Sequence, residues 1–167
     1  MTKIDIVVSI VTVCHNSEKT IRDTIDSVLN QTYPNLEYII IDGKSTDSTV
    51  NIIQEYCQKF NDRDKGYRYV SESDEGIYDA MNKGIHMACG ELVGIINSDD
   101  WYEPEAVECA VRHYIQQPYD LFYADLRIVG GKRCFVKRAR NSSWVSSRYW
   151  NHPTTFIPKR LIISKKP

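Results

Sequence analysis

Much of what would tie this chain to a special environment is missing. No stretch reaches the ~18–20 consecutive apolar residues of a membrane-spanning helix. Residues 1–20 lack the apolar core of a signal peptide, because Asp5, His15, Asn16 and Glu18 interrupt it. Neither charge sign dominates: 21 Lys and Arg face 22 Asp and Glu, for a net charge of −1. No global field therefore draws the chain to nucleic acid, which is not expected as a partner. The five cysteines are odd in number and form no C-x-x-C pair. That spacing argues against a disulfide or zinc framework and for reduced thiols in a cytoplasmic setting. Two glycosylation sequons, Asn30-Gln31-Thr32 and Asn141-Ser142-Ser143, come without a secretory signal and read as chance. The first strand-to-helix turn has no glycine, so a dehydrogenase-type G-x-G-x-x-G site is disfavoured, and no G-x-x-x-x-G-K-[ST] loop occurs. Repeats and low-complexity linkers are absent too.

What is present is a regular alternation. Ile6–Val13 is β-branched and almost continuously apolar, as in a strand buried on both faces. A helix is expected over about 18–31, with Ser17 as N-cap and Ile21, Ile25, Val28 and Leu29 as its apolar stripe. Leu36–Ile41 forms a second strand, and Asp47 or Ser48 caps a second helix burying Val50, Ile53, Tyr56 and Cys57. Tyr67–Val70 is a short third strand. Ile77, Ala80, Met81, Gly84, Ile85 and Ala88 then mark a helix over about 76–89. Leu92–Ile96 is strand four, a helix follows from Pro104 to Gln117, and Leu121–Ala124 is a fifth strand. Arg127–Val136 has the pattern of a hairpin turning at Gly130-Gly131. This order implies an α/β fold: a mostly parallel, doubly wound sheet with helices on both faces and ligands at the carboxyl ends of the strands.

The polar residues that interrupt this pattern fall at those ends: His15, Asp42, Asp74, Asp99 and Asp100. Strand four runs straight into Asn97-Ser98-Asp99-Asp100. Adjacent carboxylates at a strand end suit a divalent cation that joins them to a phosphorylated ligand. Capping and turn formation explain Gly43 and Asp47 equally well. They explain Asp42 poorly, since a carboxylate on the last strand residue is placed to accept an imide N–H.

Val8–Asn16, Asp42-Gly43-Lys44-Ser45-Thr46-Asp47, Ser71–Gly84 with its Gly76-Ile77-Tyr78-Asp79-Ala80-Met81-Asn82-Lys83-Gly84 helix, and Asn97–Asp100 together resemble family 2 glycosyltransferases of the GT-A fold. The likeness is to bacterial members that assemble polysaccharides. It spans about residues 6–125, with a fainter echo at Asn151–Phe156. The resemblance implies transfer of a sugar from a nucleotide sugar, UDP-linked, to a saccharide or lipid-linked acceptor. Val13 and His15 would line the base pocket, Asp42 would bind a uracil-type imide, and Asp74 would lie near the nucleoside. Asp99 would contact the ribose or the sugar. Asp100 would hold Mg2+ or Mn2+ against the diphosphate. Met81 stands where many relatives carry Arg and falls on the apolar face, so no diphosphate role transfers to it.

Asp125 ends the fifth strand and is either a cap or part of a sugar or acceptor pocket. His152 is either structural or a late metal or phosphate contact. Lys132, Arg133, Lys137, Arg138 and Arg140, with Trp144, Tyr149 and Trp150, make either a solvated hairpin and loop or a contact with anionic lipid head groups at the inner membrane face or with a lipid-diphosphate acceptor. Residues 1–125 are thus the donor-binding core. Residues 126–167 are the start of an acceptor-side part. No carboxylate follows Asp125, and an inverting transfer needs a base within reach of the acceptor hydroxyl. No catalytic residue is therefore assigned, and an inactive nucleotide-sugar-binding remnant stands as the alternative. A nucleotidyltransferase ranks last, for want of a Gly-rich basic loop after strand one. Phe156-Ile157 and Leu161-Ile162-Ile163 are expected to need a partner, as in an oligomer.

Overall fold

The computed structural model describes residues 6–130, 133–139 and 152–162, with Arg133 and His152 described in their backbone only. The expectations for Lys132, Arg140, Trp144, Tyr149, Trp150 and Ile163 lie outside the described residues.

The centre of the molecule is β1 (Val8–Cys14), a seven-residue strand with every residue buried. It pairs in parallel with β2 (Leu36–Asp42) on one flank and with β4 (Leu92–Asn97) on the other, and β3 (Gly66–Ser71) extends the sheet beyond β2. Ile10, Ile39, Ile40 and Ile41 are fully enclosed, each worth about 1.5–3 kcal/mol relative to exposure. The register sets Cys14 beside Asp42 and Val13 beside both Ile41 and Asn97. The polar ends of three strands therefore finish at one level.

Helices cover both faces. α1 (Ile21–Leu29), α2 (Thr49–Glu55), α3 (Cys57–Asn61) and α5 (Ala106–Gln116) pack Ile21, Ile25, Val28, Ile53, Phe60, Val107 and Val111 against one side. α4 (Ile77–Met87) covers the other with Ala80, Met81 and Ile85 against Val11, Val13, Ile39 and Ile41. Gly84 lets α4 approach: a Cβ there would lie 2.3 Å from Val11 Cγ1. The second helix divides at Tyr56 into α2 and α3. Helix α1 begins at Ile21 instead of 18, because Ser17 does not cap it. The Ser17 hydroxyl is held across the sheet end by Ser98, 2.8 Å away.

The fifth strand expected at Leu121–Ala124 does not form. Phe122 makes only an isolated bridge to Phe156. The edge beside β4 is taken by β7 (Phe156–Pro158), which runs antiparallel to β4 and is followed by α6 (Lys159–Ile162). Pro158 ends this short edge strand, where a missing N–H is tolerated. Phe156 packs over Gly94, whose Cβ would meet the Phe156 ring at 2.8 Å. Of the apolar tail expected to need a partner, Phe156 is 2% exposed and Ile162 packs on the α4 side of the sheet, while Leu161 stays 38% exposed. The predicted hairpin is present as β5 (Leu126–Gly130) and β6 (Arg133–Lys137).

Candidate functional site

Strand order is β3-β2-β1-β4-β7. After β1 the chain builds β2 and β3 on one flank, then returns to place β4 on the other. Ligands of such sheets enter the crevice at this reversal, outside the carboxyl ends of the strands. A cleft of about 770 Å³ opens there, lined by Val13, His15, Asp74 and Asp99 among others. Four of the residues singled out in the sequence thus share one cavity, from the end of β1 and the loops after β1, β3 and β4.

The walls are held by short polar links between loops. His15 Nδ1 donates to Gly43 O at 2.9 Å, and Asn16 Nδ2 approaches His15 Nε2 at 3.2 Å. These contacts select the neutral Nδ1–H tautomer, since a carbonyl only accepts and an amide NH2 only donates. Asn16 N donates to Ser45 Oγ, and Asn16 Oδ1 accepts from Thr46 N. Asp47 Oδ1 accepts from Thr49 N at 3.0 Å, and Asp47 Oδ2 from Glu18 N at 3.2 Å. Asp74 Oδ1 accepts from Gly76 N at 3.0 Å, while its Oδ2 leans over Gly43, where a Cβ would be 2.7 Å away. Asn16 (φ 50°), Lys44 (φ 61°) and Gly76 (φ 118°) all sit in these loops in positive-φ conformations. For non-glycine residues this is strained backbone, which gathers at functional sites.

Asp42 is placed differently from the expectation of an open imide acceptor. It is 0% exposed. Its carboxylate accepts from Ser45 N (3.0 Å), Ser71 Oγ (2.6 Å), Cys14 Sγ (3.6 Å) and the Ser45 hydroxyl. In this geometry Asp42 organises the 43–47 loop from beneath the cleft. Burial and the Asp42 charge together push the Cys14 thiol far above its usual range, so it is an inert neutral donor.

Asp99 is exposed and borders a second cleft of about 730 Å³, which also touches Asp100, Trp101, Asp125 and Thr154. Asp100 is half-buried, and Asn97 Nδ2 donates to its Oδ2 at 3.3 Å. Asn97 Oδ1 is buried and has no partner among the described residues. No group of three or more His, Cys, Asp or Glu is arranged to hold a metal among the described residues. Two hard carboxylates on adjacent residues, with an orphaned buried amide oxygen on Asn97 at the end of β4, nonetheless fit Mg2+ or Mn2+, which takes its other ligands from phosphates and water. Asp125 is tied down: the Ala139 N–H, and with it Arg138, outweigh the opposing effect of burial and hold its carboxyl below the usual range. His152 opens a short 3-10 turn beside this second cleft, and its side chain lies outside the described residues.

Sequence reasoning missed Asn16, Ser17 and Ser98 as loop-to-loop links. The signal was available, because a His-Asn-Ser cluster directly after a buried strand has no role in the core. Ile77, expected on the apolar core face of its helix, is instead exposed at the first cleft's lip.

Residues 9–166 match the family model described as glycosyl transferase family 2. Chondroitin synthase of Escherichia coli is 36% identical over 107 residues, 64% of this chain and 15% of that protein. Among solved structures, Staphylococcus aureus TarS 1-349 in complex with UDP-GlcNAc superposes with a TM-score of 0.74 at 24% identity, covering 93% of this chain and 46% of that one. The mannosyltransferase PcManGT from Pyrobaculum calidifontis, in complex with GDP-Man and Mn2+, gives 0.64 at 23% identity, over 70% of this chain and 34% of that one. The chain spans less than half the length of the curated relatives it matches. The fold is GT-A, and with the family model covering nearly all of the sequence, the chain belongs to glycosyl transferase family 2.

Proposed function

We propose that this chain binds a nucleotide sugar, UDP-linked, as the donor half of a metal-dependent glycosyltransferase that builds cell-surface polysaccharide. The observation that carries the reading is the cleft at the β1/β4 reversal, which gathers Val13 from the end of β1 with His15, Asp74 and Asp99 from three loops. The UDP-GlcNAc complex of TarS and the GDP-Man and Mn2+ complex of PcManGT support the donor class and the metal. In this reading Val13 and His15 flank the base and Asp74 lies near the nucleoside. An imide can reach Asp42 only in exchange for the Ser45 or Ser71 hydroxyl, so Asp42 acts first by shaping the loop.

Asp99 faces the ribose or sugar, and Asp100 with Asn97 Oδ1 would hold Mg2+ or Mn2+. When bound, the cation neutralises charge that builds on the leaving diphosphate. The acceptor, a saccharide or a lipid-linked one, takes the second cleft beside Asp125 and the His152 turn. The hairpin supports a peripheral membrane contact as part of the same reading, since Ile128, Val129, Phe135 and Val136 are exposed on it. A cytoplasmic site suits the five free thiols.

A second reading, binding without turnover, is favoured by Asp125. Its carboxyl is held by Ala139 N and Arg138 and is a poor base. Turnover of UDP-sugars with Mn2+, measured beside UDP binding, separates the two. Transfer or hydrolysis sustains the enzyme reading, and binding alone leaves the remnant. UDP affinity that ignores both Mn2+ and Asp100→Ala removes the metal assignment.

A further inference from the structure

The loop that carries Asp99 and Asp100 has no regular structure of its own between β4 and α5. A carboxylate meant to meet a cation needs a fixed backbone, and the end of β4 supplies one bond, from Asp100 N to Asn97 O at 3.2 Å. Further fixing comes from α1. Thr24, Ser27 and Gln31 follow one another along the side of α1 and its end that faces this loop, and each meets it. Thr24 Oγ1 donates to Asp100 O at 2.7 Å. Tyr102 N donates to Ser27 Oγ at 3.2 Å. Gln31 Nε2 donates to Glu103 O at 2.8 Å, and Val107 N donates to Gln31 Oε1 at 3.0 Å. Thr24 is 0% exposed and Gln31 4%.

A buried polar row on an otherwise apolar helix face is costly unless every group is paired. Here Ser27 Oγ and Gln31 Nε2 also bond within the helix, to Thr24 O and Ser27 O, and all three side chains pair with the backbone of the 100–107 segment. The shortest of these bonds lands on the carbonyl of Asp100 itself. A simple core helix would have carried valine or isoleucine at position 24, which matches the neighbouring Ile25 and Val28.

We infer that Thr24 is a positioning residue for the divalent cation: its hydroxyl fixes the Asp100 backbone, with Ser27 and Gln31 clamping the rest of the loop to α1. The inference rests on the reading that Asp100 holds the metal. Partners that orient a metal ligand from behind typically change metal affinity by about 10–100-fold when removed. Thr24→Val keeps the shape and removes the donor to the Asp100 carbonyl. Thr24→Ser keeps the donor.

The test is calorimetric UDP binding by the 167-residue chain with and without Mn2+, the readout being the ratio of the two affinities. Thr24→Val should reduce that Mn2+ enhancement by about tenfold, Ser27→Ala by less, and Thr24→Ser should restore it. Tyr33→Phe, which loses a hydroxyl bonded to Ile6 O at the opposite end of the sheet, should leave the ratio unchanged whatever it does to stability. An enhancement in Thr24→Val equal to wild type overturns the positioning role. If Thr24→Val does not fold, an unchanged ratio in Ser27→Ala overturns it instead. Asp100→Ala separates the two levels. If it abolishes the enhancement while the α1 variants do not, the clamp is wrong and the metal site stands. If it leaves the enhancement intact, the metal reading and the clamp fall together.

Discussion

The two ends of β2 each bury a carboxylate, and their surroundings differ in kind. Glu37, at the amino end of the sheet, accepts from Ser9 Oγ at 2.6 Å, from the N–H groups of Cys89 and Gly90, and from Arg68 at 2.7 Å. Its charge is matched by a cation. Asp42, at the carboxyl end, is fully enclosed yet accepts only from hydroxyls, one N–H and a thiol. No Lys or Arg pairs with it among the described residues. Asp74 and Asp99 stand nearby in the same cleft. One end of the strand is electrostatically closed, as structure requires. The other collects Glu18, Asp47, Asp74 and Asp99 around one cleft in which Lys19 is the lone Lys or Arg among the described lining residues, as a site for a cation with its diphosphate requires.

The sharpest way to break this contrast is Glu37→Ala. It removes the carboxylate partner of Arg68 and the acceptor of Ser9 Oγ and Cys89 N, while Arg68 keeps Met87 O and Gly90 N keeps Ser9 Oγ, and removing one partner of an ion pair costs most where burial is deep. The Arg68 side chain is 44% exposed, so the loss should lie below that of a fully buried pair, at about 2–3 kcal/mol. Urea unfolding checks this, and UDP affinity should not change. Unchanged stability would mean that the amino end is not the structural one.

Asp42→Asn probes the other end. The amide places an NH2 donor where hydroxyl and N–H donors converge, so one of them loses its acceptor. The expected outcome is about tenfold weaker UDP binding, from a charged hydrogen bond worth about 1.5–3 kcal/mol, with a smaller loss of stability than Glu37→Ala. Calorimetry and urea unfolding on the same samples give both numbers. The reverse ranking would dissolve the distinction between the two ends.

A pH series refines it further. Burial alone would raise the Glu37 carboxyl, but Ser9, the Cys89 N–H and Arg68 outweigh that and hold it below its ordinary 4.5. A carboxyl depressed on folding contributes stability that is present above its unfolded value and lost as pH falls through its folded one. The stability difference between wild type and Glu37→Gln should therefore be flat above about pH 5 and shrink at lower pH. A difference that persists undiminished at pH 3 would show that Glu37 acts through shape instead of charge.

How far the sequence disclosed these features depended on periodicity. β1, β2 and β4 were legible because continuous β-branched runs have few alternatives, and α4 because Ile77 to Ala88 repeats at helical spacing. The cleft was legible because His15, Asp74 and Asp99 interrupt apolar strands at their ends. β7 was not, since three residues ending in Pro158 carry no period, and Leu121–Ala124 looked more strand-like than Phe156–Pro158. The enclosure of Asp42 was not legible either: it depends on Ser71, brought alongside only by the β2–β3 register. The Thr24–Ser27–Gln31 row was hidden inside an amphipathic helix whose polar positions look solvent-facing on paper.

The smallest effect is expected where the carboxyl end leaves a group unmatched. Tyr102 is 6% exposed, and its ring stacks on Phe156 at 5.7 Å between centroids. Its hydroxyl is buried without a partner among the described residues. A buried unpaired hydroxyl costs about 1–3 kcal/mol in lost hydration. Tyr102→Phe keeps the stacking and removes that cost, so stability should rise by about 1 kcal/mol in urea unfolding, with UDP affinity unaltered. Structural ends of sheets rarely keep such a group, because nothing offsets it. Tyr102 lines the second cleft beside Asp99 and Asp100. A gain in stability would therefore mark the carboxyl end as the place where this fold gives up stability. A loss would mean that the hydroxyl has a partner in the folded protein, and the contrast with the Glu37 end would narrow to Asp42 alone.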